Sequence, residues 1–517
     1  MRIISKYLPD RSNRLVVCCC GILLGFSIAM TLRSNSSMAF TTRNWQPSAV
    51  IPFEQQLESA IAIAEKSVVS IARFPAENQE DAADPTSADF VPQSFGAGVV
   101  INTNGPNETP VILTNYHVVK GGPVKGQNEG KSTHKIYVHL PNRRGYFARL
   151  IAADPRSDLA VLEIDFATLD MKPSELAPFQ FANPKRIRKG QNVIALGNPY
   201  AIARDGSASA SWGIVSNISR SLPPDKKRKD DNVNPRPTIH HLGTLLHVDT
   251  RLNFGTSGGA LVNMKGELIG LTTSQAALDG YETSAGFAIP FDKNMLRVVK
   301  SLSRGEEVEY GFLGVDPRDV PYGELRLIPG MKNRSTAVKI ADVPERSPAD
   351  RAKIHDDDIV LAVNGEIVRN RFELMKAVSF QPPGTRVKFD IWRKKENRRL
   401  SREVKLAKWP VENDTEIVVS RPNYRTWRGI TYDFVTGRSR FFHRSRFYSA
   451  VLVTKVIQPK DQNQIKIDLE PGDYISHVNS RPVSTPEEFA KVVKHISGDA
   501  TLRLIGGREL TISDPTK

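Results

Sequence analysis

Three short segments, far apart along the chain, carry side chains suited to acyl transfer. Gly255-Thr256-Ser257-Gly258-Gly259 sets a serine among glycines, after a strand-like run from Thr244 to Asp249 and before another from Ala260 to Val262. Small neighbours permit a tight turn whose backbone N–H groups converge on one point, which is what the developing oxyanion of an acyl transition state requires. A glycine-serine loop is also an ordinary turn sequence. Thr114-Asn115-Tyr116-His117-Val118-Val119 places a histidine after an apolar strand, Val111 to Leu113, and Ser157-Asp158-Leu159-Ala160-Val161-Leu162 places an aspartate at the start of another. Taken separately, the histidine reads as a capping or core residue and the aspartate as a turn residue. Taken together, the three make a proton-transfer set. A serine hydroxyl is a weak nucleophile at neutral pH and needs a base in reach, and histidine is the side chain whose pKa lies near the working range. A carboxylate then fixes the imidazole tautomer and stabilises the imidazolium as it forms.

The elements that must hold these groups are mostly strands. From Phe95 to Ser274 the chain shows short apolar or alternating runs between turn residues, as where Ile136, Val138 and Leu140 alternate with Lys135, Tyr137 and His139. No long helical period occurs there. Ahead of it, Phe53, Leu57, Ile61 and Ala64 share one helical face, and Ser67-Val68-Val69-Ser70-Ile71 follows as a strand. The segment from Ser221 to Pro237 is charged and proline-rich, which marks an exposed, solvated insertion.

Past Arg304 two stretches about 115 residues apart resemble each other, the signature of a duplicated module. One runs from Asp358 to Gly365 and the other from Asp473 to Ser480; each is followed by a valine, Val368 or Val483, and then a short amphipathic helix. In the second copy Thr485-Pro486-Glu487-Glu488 reads as a capping box with proline at the first helical position, and Phe489, Val492, Val493 and Ile496 continue the helical face. The polar stretch from Trp409 to Arg425 reads as the linker between copies.

A length of 517 residues corresponds to about three to four domains. Ordinary Gly, Pro, apolar and charged content excludes collagen-like and wholly disordered chains. The net charge of +15 favours anionic surfaces but does not speak to fold. All three cysteines, Cys18, Cys19 and Cys20, lie in one apolar run, so nothing downstream forms a disulfide or a thiolate metal site. That run, Leu15 to Leu32, is uncharged, preceded by Arg2, Lys6, Arg11 and Arg14 and closed by Arg33, the pattern of an export signal or a membrane anchor. Ser37-Met38-Ala39 offers a cleavage site for the first reading.

In the order His, Asp, Ser, the three segments resemble the trypsin-like serine proteases, and in particular the HtrA/Deg family. Further segments that carry the resemblance are Phe95-Gly96-Ala97-Gly98-Val99-Val100, Asp154-Pro155-Arg156, Gly197-Asn198-Pro199-Tyr200, Gly213-Ile214-Val215-Ser216 and Gly286-Phe287-Ala288-Ile289-Pro290. The resemblance implies a mostly β chain: a trypsin-like double β-barrel over 45–304, an α+β PDZ module over 305–408, a linker over 409–424 and a degenerate second PDZ module over 425–517, after a signal or anchor over 1–44. It implies His117, Asp158 and Ser257 as the catalytic triad, with the backbone N–H groups of Gly255 and Ser257 as the oxyanion hole. Leu252 and Leu271 correspond to the primary specificity pocket, which without an acidic residue favours an apolar side chain before the cut. Phe312, Leu313, Gly314 and Val315 correspond to the loop that receives a peptide C-terminus, and Ser347-Pro348-Ala349 fits the same module.

The implied function is an exported endopeptidase of misfolded or damaged proteins, without cofactor or metal, homotrimeric, located in the periplasm or held at the inner membrane by an uncleaved first segment. The competing expectation is a catalytically silent scaffold or chaperone that binds unfolded chains. It has a basis in sequence, because Thr256, Phe254 and Ala260 depart from the family's usual residues around the oxyanion turn. In the second copy Arg428-Gly429-Ile430 is the candidate carboxylate loop, and the arginine- and aromatic-rich stretch from Arg438 to Phe447 reads as a solvated or interface loop; nucleic acid is not an expected partner.

Overall fold

A computed structural model describes residues 50–76, 85, 92–102, 109–126, 132–164, 171–198, 207–220, 238–273, 286–328, 330–331, 333–411, 416–421, 425–441, 447–458 and 466–514. The apolar run at 15–32, the candidate cleavage site, the insertion at 221–237 and Pro199-Tyr200 lie outside the described residues. Among the described residues no helix is long and apolar enough to cross a membrane.

The first barrel is built from β1 (Val68–Pro75), β2 (Ser94–Ile101), β3 (Val111–Asn115), β4 (His134–His139), β5 (Gly145–Asp154) and β6 (Leu159–Ile164). Their order is β5-β4-β1-β2-β3-β6, and β6 returns to pair with β5, so the sheet closes and its edges disappear. The second barrel closes in the order β10-β11-β12-β9-β8-β7, from β7 (Asn192–Gly197), β8 (Ser209–Arg220), β9 (Leu245–Val248), β10 (Ala260–Val262), β11 (Leu268–Thr273) and β12 (Gly286–Pro290). Strands such as β6, β10 and β11 read as continuous apolar runs because both of their faces are covered. The helix Val50–Ala64 forms as its spacing predicts. Ala60 and Ala64 are buried in the shared core with Leu57 and Ile61 against them, while Phe53 meets Trp212 of β8 edge-on at 5.4 Å.

Beyond the helix Lys293–Ser303, two α+β modules follow, each with its own apolar core. In the first, the strands run Asp316–Asp319, Val338–Asp342, Ile359–Val363, Arg386–Arg393 and Arg398–Lys405 across the sheet. The second repeats this order with Ile430–Phe434, Val451–Val456, Tyr474–Val478, Ala500–Leu504 and Glu509–Ile512. The duplication extends to single hydrogen bonds. Asn364, at φ 50°, donates its N–H to the Lys388 carbonyl and accepts from the Lys388 N–H at its side chain; Asn479, at φ 44°, makes the same pair of bonds with Thr501. Asparagine suits both positions because it tolerates the left-handed region and bonds locally.

The expected linker is pinned to the first barrel instead of crossing solvent freely. Trp409 donates its N–H to the Tyr310 carbonyl, and Val418–Val419 pairs antiparallel with Ala153 and Ala152 of β5, adding a strand to that barrel. In the second module the helix Pro486–Val493 is capped by Thr485, whose hydroxyl accepts from the Glu488 N–H. The Glu488 carboxylate reaches back to the Ser484 N–H, one residue earlier than a standard capping box predicts.

Candidate active site

His117 sits on the single helical turn Tyr116–Val119 at the end of β3, and Asp158 lies just ahead of β6, the neighbour of β3 in the barrel. Barrel register therefore joins two segments that are 41 residues apart. The His117 Nδ1 lies 3.0 and 2.9 Å from the two Asp158 carboxylate oxygens, and the His117 backbone N–H donates to the same carboxylate at 3.1 Å. A carboxylate only accepts, so Nδ1 carries the proton in the neutral ring and Nε2 is left as the basic nitrogen. Burial pulls the His117 pKa down, but the Asp158 carboxylate, through its charge and hydrogen bond, more than offsets this; the ring titrates above its ordinary 6.5 despite the nearby Arg73. Asp158 itself is almost fully buried and holds φ at +52°, a conformation costing a non-glycine residue about 1–3 kcal/mol. Its carbonyl is fixed by the Tyr116 N–H and the Asn115 side-chain amide, each at 3.0 Å.

Ser257 occupies the loop between β9 and β10, and that loop is two successive tight turns. In the first, the Thr256 N–H donates to the Asn253 carbonyl and Gly255 has φ +93°; in the second, the Gly259 N–H donates to the Thr256 carbonyl and Gly258 has φ +82°. Positive φ only at the third residue makes both turns type II, which explains the alternation of glycines around the serine. Space enforces it too. A Cβ on Gly255 would lie 2.1 Å from the Asn198 carbonyl oxygen, and one on Gly258 2.1 Å from the Ala97 carbonyl oxygen. Thr256, one of the departures noted in the sequence, braces this loop. Thr256 sends both its N–H and its hydroxyl, at 3.1 and 2.7 Å, to the Asn253 carbonyl, and its own carbonyl accepts from the Thr272 hydroxyl. Phe254 is exposed at the turn's corner and Ala260 is buried in β10.

Strand β2 ties the serine loop to the histidine. The Ala97 N–H donates to the Ser257 carbonyl at 2.8 Å, and the Ala97 carbonyl accepts from the Thr114 hydroxyl, three residues before His117, at 2.7 Å. Gly96 is the narrow point between them, since a Cβ there would lie 2.7 Å from Val118 and 2.9 Å from the Ser257 carbonyl oxygen. That contact gives a physical reason for the first glycine of Phe95-Gly96-Ala97-Gly98; at the second, a Cβ would lie 2.7 Å from Ile112.

The pocket residues separate. Leu252 is partly buried and packs beside Gly286 and Val248, whereas Leu271 has no exposed surface and belongs to the core shared by the barrels. Leu271 thus offers no surface to a substrate, contrary to the expectation from sequence. In the first C-terminal module, Phe312 through Val315 leads directly into the outer strand Asp316–Asp319. The Leu313 carbonyl accepts from the Ala349 N–H, and Gly314, at φ +73°, abuts Ser347 and Pro348, so the Ser347-Pro348-Ala349 segment supports this loop. Phe447 of the second module stacks on Phe312 at 6.2 Å.

In the second module the candidate loop Arg428-Gly429-Ile430 is a two-residue hairpin turn joining Arg425–Trp427 to Ile430–Phe434. The Arg428 guanidinium is spent on the carbonyls of Gly498, Ile512 and Ser513. The basic stretch is an interface at both described ends, since Arg438 is partly buried against Glu307 and Phe447 is buried against Phe312; residues 442–446 lie outside the described residues. Sequence reasoning missed Arg73, which donates to the Lys120 carbonyl at the end of the His117 helix and whose charge opposes protonation of the His117 ring, and the role of Asn115 on Asp158. Asn115 lay within the quoted motif. Arg73 gave no signal, since one cation in a strand has no local pattern.

Residues 96–271 match the family model of the trypsin-like peptidase domain, and residues 311–406 that of the PDZ domain. A probable periplasmic serine endoprotease DegP-like of Marinomonas sp. (strain MWYL1) is 29% identical over 403 residues, covering 78% of this chain and 74% of the relative. One with the same description from Chlamydia trachomatis serovar D is 26% identical over 412 residues, covering 79% and 72%. Among solved structures, the HtrA-type protease AlgW with tripeptide aligns with a TM-score of 0.49 at 23% identity, over 69% of this chain and 99% of that one. With a trypsin-like peptidase domain and a PDZ domain in this order, and DegP-like endoproteases among its relatives, the chain is a trypsin-like serine endopeptidase similar to the HtrA/Deg proteases.

Proposed function

We propose that the protein is a periplasmic endopeptidase that hydrolyses misfolded or damaged proteins through an acyl-enzyme. His117 takes the proton of the Ser257 hydroxyl as it attacks the scissile carbonyl, and returns it to the leaving amine. Asp158 holds the ring with Nε2 toward the serine, and the N–H groups of Gly255 and Ser257 receive the oxyanion. The observation that carries this reading is the His117–Asp158 pair, bonded through Nδ1 in the tautomer a general base needs. The periplasmic location is supported by the description of the relatives. Leu252 favours an apolar side chain before the cut, and the loop Phe312 to Val315 receives exposed C-termini and regulates turnover. The family resemblance supports a homotrimer, to be read by sedimentation against the 57.4 kDa chain.

Casein hydrolysis by the Ser257→Ala variant tests the mechanism, with turnover expected to fall by around a millionfold. A fluorophosphonate probe should label Ser257 in the unaltered protein. Absence of labelling, with unfolded protein still bound, favours the silent scaffold. Because the His117 pKa is raised, kcat/KM should climb through a midpoint above pH 6.5 as the ring loses its proton. A flat profile from pH 5 to 8 would remove His117 as the base.

A further inference from the structure

We propose that His240 is a positioning residue for the reaction: its ring holds the peptide bond ahead of Asp158 in the orientation that presents the carboxylate to His117. The proposal rests on the role given to Asp158 above. His240-His241 carries no zinc-ligand spacing, yet His240 is 1% exposed and reaches a segment 83 residues away. Its Nε2 lies 2.9 Å from the Ser157 carbonyl oxygen, and its Nδ1 lies 2.8 Å from the Thr244 hydroxyl. A carbonyl only accepts, so Nε2 carries the proton and the threonine hydroxyl donates to Nδ1; the other acceptor open to that hydroxyl, the Ile239 carbonyl, is 3.5 Å away. Burial lowers the pKa of His240, which keeps the ring in this neutral form.

The bond matters because of where it acts. Asp158 holds φ at +52°, and that torsion relates the Ser157–Asp158 peptide plane to the rest of Asp158. Relaxation to negative φ must either rotate the Ser157 carbonyl or swing the Asp158 side chain. Three consecutive carbonyls are clamped against it: Arg156 by the Ile239 N–H at 2.9 Å, Ser157 by His240, and Asp158 by Tyr116 and Asn115. Of the clamps on the upstream side of the torsion, His240 supplies the side chain, and it grips the peptide whose rotation is in question.

The test compares His240→Phe, which keeps a ring and loses the donor, with His240→Gln, whose side-chain amide can offer a donor at a similar reach, both in the full chain. For His240→Phe, kcat on a peptide substrate should fall about 10- to 100-fold with KM little changed. The acid limb of kcat/KM should also move to lower pH as His117 loses its carboxylate. His240→Gln should restore kcat to within about threefold and return the acid limb. A folded His240→Phe variant with unaltered kcat and acid limb overturns the proposal. So does a folded glutamine variant as impaired as the phenylalanine one, since the shape of the ring would then be what counts. If His240→Phe does not fold, the glutamine variant decides alone. Asp158→Asn separates this proposal from the one beneath it: loss of turnover there with both His240 variants active sinks only the role of His240, while full activity of Asp158→Asn removes the triad and this role together.

Discussion

The two PDZ modules share strand order and paired asparagines but differ at the edge where a peptide would add. In the first, Asp316–Asp319 is the outer strand, and among the described residues no strand pairs beyond it. In the second, the corresponding strand Ile430–Phe434 already pairs antiparallel with Arg425–Trp427, and Trp427 packs edge-on against Phe489 of the neighbouring helix at 5.8 Å. That is the arrangement of strand addition to a sheet edge, made with the chain's own residues. The modules also differ in their joints. Tyr310, at the start of the first module, donates its hydroxyl to Asp154 at 2.7 Å, and Asp154 accepts from Arg156 at 2.8 Å. The second module is held by a buried ionic cluster, in which Lys408 lies 3.0, 3.3 and 3.0 Å from Glu307, Glu309 and Asp433, with Arg425 and Arg438 completing the charge balance. Among the described residues one copy leaves its outer strand unpaired, with Phe447 of the other stacked on the loop beside it, and the other copy has spent its edge on itself and its charges on docking.

The harshest challenge to that contrast is Lys408→Met. It leaves three carboxylates without their central cation and should destabilise the joint by about 3–5 kcal/mol, read by calorimetry and by proteolysis between the modules. An unchanged unfolding transition would mean that the cluster does not hold the second module. Next, Gly314→Val forces a branched side chain onto φ +73° and against Ser347, and should weaken binding of a C-terminal peptide at least about thirtyfold by fluorescence anisotropy. Arg428→Gln should leave peptide affinity as it was; equal losses from both changes would erase the distinction between the modules. Tyr310→Phe removes one buried hydrogen bond to a carboxylate, worth about 1–3 kcal/mol, and calorimetry on this variant weighs the first joint against the second.

The smallest effect concerns pH. Burial raises the Glu488 pKa, but hydrogen bonds from Ser484 and the Lys405 ammonium more than offset it and bring it to about 2. Glu488 and Lys405, 2.9 Å apart, belong to different modules. A depressed carboxylate pKa means that the contact contributes fully above the ordinary value near 4.5 and is lost as pH falls toward 2. Titration of Lys405→Ala beside the unaltered protein should therefore show a difference above pH 4.5 that shrinks below it.

Much of this was legible in the sequence, for identifiable reasons. The segments around His117, Asp158 and Ser257 and the Thr485 cap stand out because each is marked by residue types within a few consecutive positions. The type II turns around Ser257 were signalled by Gly255 and Gly258. What stayed hidden depends on partners far along the chain. His240 acquires its role from Ser157, and Arg425–Trp427 acts as a strand only because a two-residue turn folds it onto Ile430–Phe434. Leu271 misled because an apolar residue beside a pocket and one in the core look the same when only the type is visible. Lys408, a single lysine at the end of a strand, gives no local hint that it is buried.

The passage of the chain over the first barrel between the two modules has a mechanical consequence. Once the docking contacts between the modules have let go, a pull on the C-terminal end travels along the backbone to Val418–Val419 before it reaches the first module. The next pairing to carry the load is then a two-residue zipper on Ala152 and Ala153, immediately ahead of Asp154 and the loop that carries Asp158. Tension would thus be felt beside Asp158 while both modules were still folded.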